Sequence, residues 1–294
     1  MTIAGGNDVG RKLHQLSYPQ AICIDDEQNI CIADWWNNRI VEWKNKAKVG
    51  RIVMETFENG DQLNRPTDVI IDQETNSFIV SDCENGRIIR ISRQNNANRE
   101  ILLSDIDCVN LAMDKDGSLY VSNGVKNEVK RWRRGEIEGT IVAGGNGKGH
   151  QLNQLNHPTF LCVTEDRSLY ISDMNNHRVM KWTEDAREGI VVAGGNENGN
   201  HLTQLSYPEG LAIDQSGHIY IADSLNHRIV RWNEGSREGT MVVGGNGQGH
   251  EGNQFNGPID LSFDRHGNLY VVDCWNHRVQ KFEIDYDYEA GSSN

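Results

Sequence analysis

Three observations predict an all-β fold, a six-bladed β-propeller whose N-terminal strand closes the last blade. One unit of sequence recurs six times. Each unit carries short strand-like segments separated by turn residues, and the opening segment of the chain matches the fourth segment that the final unit lacks. The recurrence is plainest in Pro158-Thr-Phe-Leu-Cys-Val, Pro208-Glu-Gly-Leu-Ala-Ile and Pro258-Ile-Asp-Leu-Ser-Phe, spaced 50 residues apart. Pro19 and Pro66 open equivalent units, and Cys108 stands in the place of the proline in another.

Each unit follows one order. After the first segment comes a short turn, as in Asp214-Gln-Ser-Gly217, and then an apolar second segment, as in Ile219-Tyr-Ile-Ala222. That second segment is apolar at nearly every position (Leu169-Tyr-Ile-Ser, Leu269-Tyr-Val-Val), which predicts burial on both faces, as when blades stack sheet against sheet. An Asp-x-x-Asn-His-Arg turn follows. Its Asp accepts turn N–H groups and pairs with the Arg five residues on, a structural role expected for Asp34 with Arg39, Asp82 with Arg87, Asp173 with Arg178, Asp223 with Arg228 and Asp273 with Arg278. His177, His227 and His277 repeat around the ring and do not converge on one metal, so they too read as structural. A third segment ends in an aromatic residue (Ile229-Val-Arg-Trp232), and a Thr240-Met-Val-Val-Gly-Gly run closes the unit. The Gly-rich stretches beyond it, such as Gly144-Gly-Asn-Gly-Lys-Gly149, follow strands and lack the helix that a phosphate loop requires, so they are inter-blade turns. At the ends, Thr2-Ile-Ala-Gly-Gly6 matches Thr140-Ile-Val-Ala-Gly-Gly145, while the chain after Phe282 turns acidic and polar. The expected organisation is one propeller over residues 1–285 and a polar tail over 286–294.

The run Pro208-Glu-Gly-Leu-Ala-Ile-Asp214, the strand Ile219-Tyr-Ile-Ala-Asp223 and the turn Asn226-His227-Arg228 resemble the NHL repeat family, over essentially residues 2–283. The resemblance implies a six-bladed ring, an architecture shared with lactonase-type and lyase-type propellers, so it bears on fold more than on activity.

Bulk properties narrow the partners. Against 42 Asp+Glu the 294-residue chain has 29 Lys+Arg, a formal charge of −13 that repels phosphate backbones. Single-stranded RNA binding, which the family resemblance admits, therefore ranks low. No apolar run approaches the roughly 18 residues of a membrane helix. The six cysteines form no CxxC pair and read as buried thiols. The N-terminus lacks a signal-peptide pattern and there is no Asn-x-Ser/Thr acceptor, which slightly favours the cytoplasm. A monomer is expected.

Candidate chemistry lies at the mouth of the central channel. Two residues into the units stand Ala21, Asp68, Asn110, Phe160, Gly210 and Asp260, and one residue in stands Glu209 among others. Equivalent positions of six blades form a ring, so Asp68, Asn110, Glu209 and Asp260 could offer oxygen ligands to a hard cation such as Ca²⁺. This is similar to the channel-mouth metal sites of lactonase-type propellers. Phe160 belongs to the same ring of ligand-binding candidates. A second candidate surface is aromatic: Trp35, Trp36 and Trp275 occupy variable turn positions in the first and last units, which a closed ring makes neighbours. A third is the place where symmetry breaks. Unit 3 replaces the turn motif with Asn123-Gly-Val-Lys-Asn-Glu128, the link before it shrinks to Ser104-Asp-Ile-Asp-Cys108, and the basic run Lys130-Arg131-Trp132-Arg133-Arg134 follows. No G-x-S-x-G, H-E-x-x-H or catalytic Cys/His signature is present. The leading expectation is a non-catalytic recognition scaffold for a protein or small ligand, and the alternative is a metal-dependent, lactonase- or lyase-like enzyme at the channel mouth.

Overall fold

A computed structural model describes residues 1–56, 62–95 and 98–284; the expected polar tail lies outside the described residues. After β1 (Thr2–Gly5) come β2 (Pro19–Ile24), β3 (Ile30–Asp34), β4 (Arg39–Trp43) and β5 (Arg51–Met54), which form blade 1. Blade 2 contains β6 (Pro66–Asp72), β7 (Ser77–Asp82), β8 (Arg87–Ser92) and β9 (Arg99–Ser104). Blade 3 contains β10 (Leu111–Met113), β11 (Leu119–Asn123), β12 (Glu128–Trp132) and β13 (Thr140–Gly144). Blade 4 contains β14 (Pro158–Val163), β15 (Leu169–Asp173), β16 (Arg178–Trp182) and β17 (Ile190–Gly194). Blade 5 contains β18 (Pro208–Ile213), β19 (Ile219–Asp223), β20 (Arg228–Trp232) and β21 (Thr240–Gly244). Blade 6 is built from β22 (Pro258–Phe263), β23 (Leu269–Asp273), β24 (Arg278–Phe282) and β1. The first strand of the chain is thus the outer strand of the last blade, pairing Thr2 with Gln280 and Gly5 with Arg278. In unit 3 the innermost strand starts at Leu111 rather than at Cys108, although Val109 N–H already donates to Ser122 O.

The second strand of every blade is buried along its whole length. Its two faces press on neighbouring blades, so Ile221, Val230 and Trp232 of blade 5 share one apolar cluster with Tyr170, Val179 and Ala193 of blade 4. Burying each such side chain contributes about 1.5–3 kcal/mol.

Polar side chains tie one blade to the next. The imidazole Nδ1 atoms of His177, His227 and His277 accept from the backbone N–H groups of Tyr207, Gly257 and Tyr18, each in the following blade, at 3.1–3.2 Å. Asn38 and Asn127 do the same through Oδ1 for Arg65 and His157. All five accepting residues sit at positive φ, which turns the side chain toward the neighbouring blade. Burial lowers the pKa of the three histidines, in keeping with the neutral form that an accepting Nδ1 requires.

The Asp-to-Arg turn has a second function beyond closing its hairpin. Asp223 Oδ2 accepts from Arg228 Nε at 2.7 Å, and the rest of that guanidinium donates to the carbonyls of Asn200, His201 and Gln204. These carbonyls belong to the Gly-rich link from blade 4, a strap that crosses the blade boundary and plants Leu205, fully buried, in the seam. The straps before blades 1, 4 and 6 are held alike, by Arg39, Arg178 and Arg278 over buried Leu16, Leu155 and Phe255. The double glycine that starts each strap is dictated by space: at Gly194, with φ +66°, a Cβ would lie 2.5 Å from the His177 carbonyl oxygen.

Candidate functional site: the upper face

The upper face is the one from which the innermost strands enter the ring. Because Pro19 pairs with Asp34, the turn Trp35–Asn37 lies at that same end, as do its counterparts in the other blades. The channel mouth and the turn aromatics therefore share a face.

Around the axis the structure separates the expected ring into two kinds of residue. Asp68, Asn110 and Asp260 are 3%, 4% and 6% exposed and turned against the neighbouring blade rather than gathered at a point. Asp68 Oδ2 accepts from Asn110 Nδ2 and from Leu111 N–H of blade 3, both at 2.7 Å, and Oδ1 accepts from Val69 N–H. Asn110 Oδ1 accepts from Leu161 N–H of blade 4, and Asp260 Oδ2 accepts from Ile22 N–H of blade 1 at 2.8 Å. These are inter-blade ties in the innermost layer. Burial pushes the Asp68 carboxyl up to about 7 and Asp260 well above the ordinary carboxylate range, Asp260 also feeling the charge of Asp68.

Phe160, expected at the mouth as a ligand contact, is 7% exposed and fills the axis instead. It shares one apolar cluster with Ala21 and Val69, although Ala21 belongs to the blade across the ring. The small Ala21 facing it makes that span possible, and Gly210 in the adjacent blade adds no side chain, since a Cβ there would meet Asp260 Cα at 2.5 Å.

Glu209 is half-buried at the mouth, where burial raises its pKa to about 8. The Thr159 hydroxyl lies close enough to favour its carboxylate form, yet outside hydrogen-bonding geometry. Among the described residues no group of three or more His, Cys, Asp or Glu side chains is spaced to hold a metal ion. With the oxygens of Asp68, Asn110 and Asp260 directed at backbone N–H groups, the ring as placed does not form a cage for Ca²⁺.

The aromatic turns of blades 6 and 1 share this face, and Tyr18 bridges the blade 1 indoles to His277 of blade 6. Trp36 and Trp275 are 56% and 50% exposed, Tyr18 is 38% exposed, and Trp35 is half-buried. Trp35 and Trp36 lie 5.5 Å apart between ring centroids, Tyr18 meets Trp36 edge-on at 6.1 Å, and Tyr18 meets His277 edge-on at 4.6 Å. Arg65 of blade 2 reaches back over both indoles, 4.8 Å from Trp35 and 5.5 Å from Trp36. Trp275, two residues before His277 in the blade 6 turn, lies over Gly257. Tyr18 and Arg65 carry no local motif. Their signal is their position, immediately before Pro19 and Pro66, which brings them beside the turns of the preceding blade.

The basic run of unit 3 is not a free cationic patch. Arg131 lies 3.6 Å from Glu184, Arg133 is 3.6 Å from Glu136, and Arg134 is 2.8 Å from Glu74.

With the geometry in place, the NHL repeat profile matches residues 16–43, 205–232 and 255–282, each spanning the end of a strap and the first three strands of a blade. The chain carries NHL repeats in three blades of its six-bladed β-propeller. Blades 2 to 4, outside the matched segments, repeat the same strand order. No curated protein matches the chain in sequence. Solved structures of similar shape include a structural genomics protein of unknown function from Bacteroides thetaiotaomicron, with 16% identity, 97% of this chain and 75% of that chain covered, and a TM-score of 0.77. An auxiliary nutrient binding protein from the same organism has 15% identity over 95% of this chain and 75% of its own, with a TM-score of 0.75. A virginiamycin B lyase from Staphylococcus aureus has 13% identity over 94% and 87%, with a TM-score of 0.56. At these identities the likeness is one of fold.

Proposed function

We propose that this propeller is a non-catalytic recognition scaffold that engages a partner protein through its upper face. The observation that carries the reading is the exposed aromatic cluster of Tyr18 and Trp36, with Trp35 and the stacked Arg65, where blades 6, 1 and 2 meet, together with the exposed Trp275 in the blade 6 turn on the same face. Trp, Tyr and Arg are the residues that dominate protein interfaces, and exposing indoles on a free surface is costly unless they are covered. The same fold serves a nutrient binding protein and a lyase, so the fold alone favours neither binding nor catalysis. What favours binding is the state of the channel. Its axis is filled by Phe160 and its polar ring is engaged between blades, whereas the aromatic turns are open.

The test is affinity capture from an extract of the source organism with wild-type protein and with a W36A/W275A double variant. Both substitutions lie at exposed turns, so the melting temperature should stay within a few degrees. The reading expects at least one protein retained by the wild type and lost by the variant. Equal capture by the two would overturn it.

A further inference from the structure

The boundary between blades 2 and 3 differs from the others in a way that leaves a vacant seat. Before blades 1, 4, 5 and 6 a strap of this chain fills the seam, with a fully buried Leu or Phe as its anchor and an Arg clamping its carbonyls. Between blades 2 and 3 the link is only Asp105 to Asn110, too short to form a strap. The residues that would hold one have changed with it. In the strand ladder Asn123 faces Glu128 where Asp223 faces Arg228, and Lys130 stands where Val230 stands. On the other wall, Leu103 occupies the position of Ala193.

What results is an open groove of about 400 Å³. Its floor is apolar, formed by Leu102, Leu103, Ile106 and Trp132, all half-buried. Set into its wall is Glu128, 8% exposed. Lys130 approaches Oε1 at 3.6 Å, and no hydrogen bond to the carboxylate and no cation at Oε2 is found among the described residues. A carboxylate so placed, set in the wall of an open groove and half-paired, favours an incoming cation or N–H donor. The polarity is the reverse of the other seams: there an arginine offers donors to a strap's carbonyls, and here an acceptor awaits donors. The net charge of −13 adds a long-range attraction for cationic segments.

We propose that this groove binds an extended segment of a partner protein, seated where a strap lies at the other boundaries, with an apolar side chain over Leu103 and Trp132 and a Lys or Arg paired with Glu128. The site is separate from the aromatic face and stands whether or not that face binds a partner.

The experiment pans a library of random, strap-length displayed peptides on the intact protein, then titrates the enriched peptide into wild type, E128Q and W36A. The replacement in E128Q is isosteric and removes a buried charge, so the fold is retained; a thermal melt checks this. The expected result is enrichment of sequences that pair an apolar residue with a nearby Lys or Arg. Their affinity should fall at least about tenfold in E128Q and stay unchanged in W36A. Failure to enrich any sequence, equal affinity for E128Q and wild type, or loss of binding in W36A would each overturn the proposal.

Discussion

Glu209 shows how position in this ring sets the chemistry of a single residue. It enters at the second residue of β18, at the channel mouth, where protein atoms crowd it without providing a cation. Losing water disfavours its charged form, so its pKa rises from 4.5 to about 8, against a small opposing effect from Thr159. A raised carboxyl pKa means that the folded state holds the proton more tightly than the unfolded chain. The associated stability is complete below about pH 4.5 and is lost as the pH rises through about 8. Asp68 and Asp260 act with the same sign. Glutamine at position 209 keeps the shape of the protonated acid and cannot ionise. Thermal melts between about pH 5 and pH 9 should therefore show wild type losing more stability than Glu209→Gln over that span. Parallel curves for the two proteins would show that Glu209 ionises in the fold as freely as in water.

Among the elements, the Asp-x-x-Asn-x-Arg turn gives the clearest case of how far sequence reasoning reaches. The Asp-to-Arg pairing is legible, since both residues and their spacing recur, and in five blades the pair closes at 2.6–2.7 Å. That the guanidinium also clamps the preceding strap is not legible, because its partners are main-chain carbonyls of residues as different as His150, Gln151 and Gln154. Removing Arg178 would strand the fully buried Asp173 and free three carbonyls of the strap. A buried pair broken on one side costs about 3–5 kcal/mol, whereas an exposed one is worth about 0–1. Arg178→Leu should thus lower the unfolding free energy several-fold more than Arg167→Ala, whose partner Glu184 lies 3.1 Å away at the surface. Urea titrations of the two variants measure this, and equal losses would mean that the turn does not anchor the strap. The same logic accounts for unit 3, where motif and strap are missing together. The shortened link and the lost motif are visible in the sequence, but the groove they leave is not, because it depends on what Leu103, Lys130 and Trp132 do once uncovered.

On the scale of the whole molecule, six recurring units and a matching first strand are enough to anticipate a closed ring, since period and turn chemistry are local properties of sequence. The contents of the channel are not local. Counting residues from each Pro locates Phe160, Asp68, Asn110 and Asp260 at one level of the axis, but whether a side chain points at the channel, the opposite blade or the adjacent blade depends on its five counterparts. Phe160 crosses the axis because Ala21 is small, and the acids turn sideways because Ile22 and Leu111 offer unpaired N–H groups there. The ring that results is tied between blades at its centre and, except between blades 2 and 3, at its rim. Its uncovered features are an aromatic face over blades 6, 1 and 2 and a groove between blades 2 and 3. Hydroxyl-radical footprinting of the protein alone and in its captured complex tests the central claim, that the upper face is the recognition surface. Protection of the Trp36 and Trp275 indoles in the complex is the predicted result; indoles oxidised equally in both states, with protection confined to the opposite face, would contradict it.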